Sequence, residues 1–126
     1  MDRKKMSEEN GKFCKEYYSG SFKQVSIYIN ESQKSGLISF FESINFYGYT
    51  ILKDLESNWS KKMKHMNSHA WPGSDCLFIM SVREEELGDL LKKLKEYRMT
   101  LSENIVFALG IIPVERIIPD LYNFDV

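Results

Sequence analysis

The sequence predicts an α+β fold in which two strand–helix–strand units share one antiparallel four-stranded sheet, with both helices on one face. Three observations predict it. An alternating apolar/polar segment begins at Phe22, two amphipathic helical stripes each follow a strand, and two later runs are apolar on both faces. The chain has 126 residues and a formal net charge of −1, which fits one domain with a sizeable core.

In the first strand, Val25, Ile27 and Ile29 alternate with Gln24, Ser26 and Tyr28, the period of a half-buried strand. Asn30 then offers a helix cap, with Gln33 completing a capping-box-like pair. Leu37, Phe40, Phe41 and Ile44 fall at i, i+3, i+4 and i+7 and form one apolar stripe. Gly48 is the expected stop. A second strand reads over residues 49–56, with Tyr49, Ile51 and Leu55 on one face.

Residues 57–74 show no usable period and read as a long connection. A third strand over residues 76–82 is apolar on both faces, as a central strand covered on both sides would be. Ser81 and Glu84 form an S-x-x-E capping box ahead of a helix whose Leu87, Leu90, Leu91, Leu94 and Tyr97 share a face. Glu84, Glu85 and Glu86 suit its positive end, and Lys92, Lys93 and Lys95 its negative end. The fourth strand spans residues 105–112, with Pro113 breaking it.

This order is the ferredoxin-like βαββαβ sandwich. Its division is a polar N-terminal extension at 1–21, a domain at 22–118 and a tail at 119–126. Apolar residues on the second sheet face, among them Tyr28, Phe78 or Ile79 and alternate positions of the fourth strand, predict oligomerisation through that face.

Composition excludes several classes. The charge balance argues against a nucleic-acid binder, and no apolar run approaches the ~20 residues of a membrane span. Cys14 and Cys76 form neither a disulfide framework nor a CxxC motif, and no signal-peptide pattern opens the chain. A cytoplasmic, reduced protein is expected. GxSxG, HExxH, Walker-type and GxGxxG motifs are all absent, and Cys76 sits in an apolar strand where packing explains it, so no enzyme is expected.

The unusual segment is 57–74, SNWSKKMKHMNSHAWPGS. It gathers Trp59, Lys61, Lys62 and Lys64 and contains no acidic residue, a local positive site suited to an anionic ligand or an acidic partner surface. A connection this long is more often functional or disordered than incidental. His65 and His69, with Met63 and Met66, offer ligands for Cu or Zn if that stretch becomes helical. Trp71, Pro72 and Gly73, followed by Ser74, read as a fixed turn. It either closes the loop base or forms the rim of a ligand cleft, where glycine permits close approach.

The runs HAWPGSDCLFIMSV, EEELGDLLKKLKEYR and VFALGIIPVERII resemble the PII-like family of signalling proteins, in the branch with a WPG turn before the third strand. The resemblance covers about residues 22–118. It implies a ferredoxin-like homotrimer with inward sheet faces, and a long loop at 57–74 that engages a membrane transporter or an enzyme. It also implies a small ligand, an adenine nucleotide or another anion, in intersubunit clefts at the loop bases, where Trp71 to Ser74 lie. The chain departs from the classical members at residues 99–104, which hold no glycine or lysine where those carry a glycine-rich phosphate loop. No tyrosine occurs in 57–74, where they carry a modifiable one. Two other ferredoxin-like readings stay open: a CutA-like metal-binding protein using His65, His69, Met63 and Met66, and an ACT-type small-molecule sensor.

Overall fold

The computed structural model describes residues 21–60, 63–65 and 74–124. Along the chain run strands β1 (Phe22–Asn30) and β2 (Tyr49–Leu55), a short pair β3 (Ser57–Ser60) and β4 (Met63–His65), and strands β5 (Asp75–Arg83) and β6 (Phe107–Val114). The main sheet is ordered β2-β5-β1-β6, with each pair antiparallel. Helix α1 (Lys34–Ser43) connects β1 to β2, and α2 (Glu84–Arg98) connects β5 to β6. Between β2 and β5, the β3–β4 hairpin forms a separate two-stranded sheet. The predicted sandwich is therefore present, with β5 and β1 as its central strands.

Register decides which face each strand buries. Val25, Ile27 and Ile29 lie opposite Met80, Phe78 and Cys76, and all six are buried. Leu37 and Phe41 of α1 and Leu90 and Leu94 of α2 complete the same core, so both helices cover one face. Phe41 is its centre, with ring centroids 5.3 Å from Phe46, 5.0 Å from Tyr49 and 5.9 Å from Phe78. Tyr97 stacks on Phe40 at 4.9 Å, and Gly36 makes room, since a Cβ there would stand 2.7 Å from the tyrosine hydroxyl.

The start and stop signals moved, each for a local reason. Asn30 Oδ1 accepts from the Ser32 amide at 2.9 Å and caps a 3-10 turn at Glu31–Gln33, so the α-helix starts only at Lys34 and Gln33 closes no capping box. At its end Asn45, not Gly48, reverses the chain. Asn45 takes φ 54, its amide donates to Glu42 O at 3.1 Å, and the Phe46 amide donates to Phe41 O at 2.8 Å. These are the paired bonds of a Schellman ending, sealed by the Phe46–Phe41 contact. Gly48, at φ 90, instead turns the chain into β2.

Ser81 is no helix cap, because it is strand, paired with Gln24. The residue before α2 is Arg83, whose side chain does not cap, and the Glu84 amide donates to Ser21 O at 3.0 Å. The acidic first turn is as expected, and Lys95 and Arg98 occupy the last. In β2 the register shifts between Leu52 and Leu55, where Asp54 takes φ 59. Leu55 pairs with Asp75, on the parity of Leu77, so it does not share the face of Tyr49 and Ile51. Pro113 does not break the last strand. It pairs opposite Lys23 inside β6, and an edge strand tolerates a residue with no N–H to donate.

Candidate functional site

The connection between β2 and β5 is partly strand. Ser57 pairs with His65, Asn58 with Lys64 and Ser60 with Met63, with a register shift between Asn58 and Ser60. This corrects the expectation of a segment without regular structure. The spacing of Ser57, Trp59 and Met63, His65 alternates as strands require, but short hairpins of mixed polarity give no apolar contrast to detect. Trp59, Met63, Lys64 and His65 therefore stand on strands, and the helix needed to align His65 with His69 is not formed at His65. Lys61, Lys62, Met66, His69, Trp71, Pro72 and Gly73 lie outside the described residues. Among the described residues no cluster of three or more His, Cys, Asp or Glu side chains could hold a metal.

Where the connection re-enters the sheet, Ser74 is fixed in place. Its Oγ donates to Glu31 Oε2 at 2.5 Å, and the Glu31 amide donates back to Ser74 O at 2.7 Å. Ser74 and the adjoining Asp75 are buried. This reciprocal pair ties the exit of the connection to the first turn after β1. Sequence inspection missed Glu31 because its partner is 43 positions away. Next to it, Cys76 is fully buried, and burial, reinforced by the charge of Glu31, pushes its thiol up to about 11. Such a thiol stays protonated at neutral pH.

The second feature is the connection from α2 to β6. Arg98 reaches around it: Nη1 donates to Leu101 O at 3.5 Å and Ser102 O at 3.2 Å, and Nη2 to Glu103 O at 3.4 Å and Ile105 O at 3.2 Å. A glycine-poor loop thus gets its shape from one guanidinium, whose planar fork reaches several carbonyls at once. The only sequence signal was a basic residue in the last helical turn.

The third feature is the sheet face opposite both helices. Register places Leu52, Leu77, Tyr28 and Ala108 in one row across the four strands, then Thr50, Ile79, Ser26 and Gly110 in the next. Ile79, not Phe78, is the residue on this face. Leu52 is 42% exposed and Ile112, opposite Gln24, 54%. At the end of this face away from the hairpin, Ile117 meets Tyr47, Gly48, Thr50, Ile79 and Ser81 around a shallow groove of ≈ 220 Å³.

No protein-family model matches the chain. No curated protein matches it either. Solved structures do. One is CPII, a nitrogen regulatory PII-like protein from Thiomonas intermedia K12, bound to ADP, AMP and bicarbonate. It is 22% identical, with a TM-score of 0.53 over 79% of this chain and 98% of that one. The same protein bound to ADP and bicarbonate aligns at TM-score 0.55 and 21% identity, covering 77% of this chain and 91% of that one. A PII-like signalling protein from Thermus thermophilus aligns at TM-score 0.50 and 20% identity, covering 75% and 89%. Among the described residues no helix is long and apolar enough to cross a membrane. At this level of identity the likeness is one of architecture: the chain has the ferredoxin-like fold of the PII-like nitrogen regulatory proteins.

Proposed function

We propose that this chain is a PII-like regulator rather than an enzyme. Three copies assemble through the sheet face opposite the helices, and clefts between subunits take a small anionic ligand of the adenine-nucleotide or bicarbonate class. The segment 57–74 carries the signal to a transporter or enzyme in the cytoplasm. The observation that carries this reading is the fold likeness to CPII bound to ADP, AMP and bicarbonate, which spans nearly the whole of that protein. Two features of this chain support it. The sheet presents apolar side chains, Leu52, Leu77 and Ile79 in two adjacent rows with Leu52 exposed, on the face away from both helices, and exposed apolar area marks an interface. The segment 57–74 is cationic by sequence, with Lys61, Lys62 and Lys64 and no acid.

Trp71, Pro72 and Gly73 with Ser74 are the ligand-binding residues of this reading, at the base of the long connection. Ser74 is held by Glu31, so the cleft wall on that side is preorganised, which lowers the ordering cost of binding. Arg98 fixes the course of the α2–β6 loop, with its terminal nitrogens spent on carbonyls.

Thermal unfolding with ADP, AMP and bicarbonate, each added separately, tests the reading. A ligand at a hundred times its Kd adds roughly 2.7 kcal/mol, so the midpoint rises by several degrees. Light scattering should give a mass three times that of the chain. A monomer that none of the three ligands stabilises would sink the proposal.

A further inference from the structure

The tail beyond β6 holds two apolar side chains out in solvent on a fixed turn. Asp120 Oδ1 accepts from the Tyr122 amide at 2.9 Å, and the Phe124 amide donates to Leu121 O at 3.2 Å, which closes a 3-10 turn over Leu121–Asn123. The Arg116 guanidinium stands 4.6 Å from the centre of the Phe124 ring and clips the end of the turn back onto the chain. Tyr122 and Leu121 on that turn are 76% and 73% exposed. A turn fixed before contact lowers the ordering cost of binding, and tyrosine is among the residues that most often anchor interfaces.

The groove at the end of the sheet face has the chemistry of a tyrosine site. Ile79 and Ile117 make it apolar, and Thr50 and Ser81 bring hydroxyls to the same walls. An engineered cavity of about 150 Å³ admits a benzene ring, so a groove of ≈ 220 Å³ has room for a phenol. A tyrosine that leaves water also needs a partner for its hydroxyl, which the two hydroxyl-bearing residues offer. The chain's own Tyr122 stays outside, because the clipped turn leaves it exposed. Ile79 and Thr50 belong to the face opposite both helices, so the groove is the margin of the surface read above as the assembly face. We propose that Tyr122 of one copy of this chain seats in the groove of the next. Turn and groove are different surfaces, so the contact is heterologous and closes when three copies form a ring. A fully buried aromatic covers roughly 150–250 Å², against about 800 Å² per partner in a standard interface, so this one side chain is a sizeable share. The inference rests on the reading of that face as the assembly surface and names the residue that crosses between copies.

Light scattering of the full chain over a concentration series reads the assembly. Tyr122→Ala should raise the concentration at which it falls apart by ~30-fold or more, the loss typical of an anchoring aromatic, and Tyr122→Phe, which keeps the ring, should recover most of it. Tyr122 is exposed in the single chain, so neither change should move the melting temperature of the monomer. Cross-linking in a Cys14→Ser background, where the remaining Cys76 is buried, tests the direction of the contact. Chains carrying Leu121→Cys and chains carrying Thr50→Cys are co-expressed and treated with a short bis-maleimide. A covalent pair made of one chain of each kind is expected. The inference is overturned if that mixed pair does not form, if Leu121→Cys chains link to each other instead, or if the double variant Leu121→Cys/Thr50→Cys links only within one chain. A parent chain that stays monomeric at every concentration overturns it together with the assembly on which it rests. A trimer indifferent to Tyr122→Ala overturns this inference alone.

Discussion

Phe78 and Ile79 are neighbours on β5, yet they live in different environments. Phe78 points into the helix-covered core and is 0% exposed, ringed by Phe41 and Tyr49. Ile79 looks the other way, beside Thr50 and Ser26, over the face opposite both helices. The strand contributes an apolar side chain to both faces, and the two serve different ends. One face stabilises the single chain through contacts within it. The other leaves apolar side chains, Leu52 and Ile112 among them, partly open to solvent.

Truncation on the covered face should have the largest effect. Phe78→Ala removes a buried ring from a packed aromatic cluster and is expected to destabilise the chain by about 3–5 kcal/mol, read from urea midpoints at constant m-value. The next test sits one residue away. Ile79→Asp should leave the isolated chain folded, since the site is only half-buried, and should yield monomers in light scattering. A folded trimer of this variant would break the contrast between the faces.

A smaller effect comes from alkali. The folded Cys76 thiol titrates near 11 against an ordinary value of 9.0, so between these pH values the unfolded chain has lost a proton that the folded chain keeps. Stability contributed by this group is complete below pH 9 and falls as pH rises toward 11, a decline that Cys76→Ala should remove. The smallest effect is expected at Gly36. An added methyl at 2.7 Å from the Tyr97 hydroxyl forces that ring to shift, while alanine favours helix by about 1 kcal/mol, so Gly36→Ala should stay within about 1 kcal/mol of the parent. Combining it with Tyr97→Phe removes the clash and should leave a more stable protein than either single change, measured by melting temperature.

Of the residues expected in the cleft, Ser74 lies among the described ones. Lysines, histidines and the WPG turn stand out in a sequence because rare or charged types are visible without a fold. What holds Ser74 and the α2–β6 loop in place does not stand out. Glu31 means little beside Gln33 until β5 returns Ser74 to it, and Arg98 is one more basic helix terminus until the loop closes around it.

Local chemistry alone determined the order of the four main strands and two helices, the Phe41 stripe and the lysine-rich, acid-free composition of 57–74, because each is written in spacings of two to four residues or in composition. Tertiary structure decided the rest. Ser81 fits a capping box, but pairing with Gln24 held it in the strand, since a ladder through the core outweighs one helix cap. Pro113 reads as a break, but its edge position spared it the missing donor. Whether Phe78 or Ile79 faces the core is a matter of register, and a slip of one residue exchanges the two faces. Only the strands on either side, Val25 to Ile29 and Tyr49 to Leu52, could settle it, because register belongs to a pair of strands and not to one.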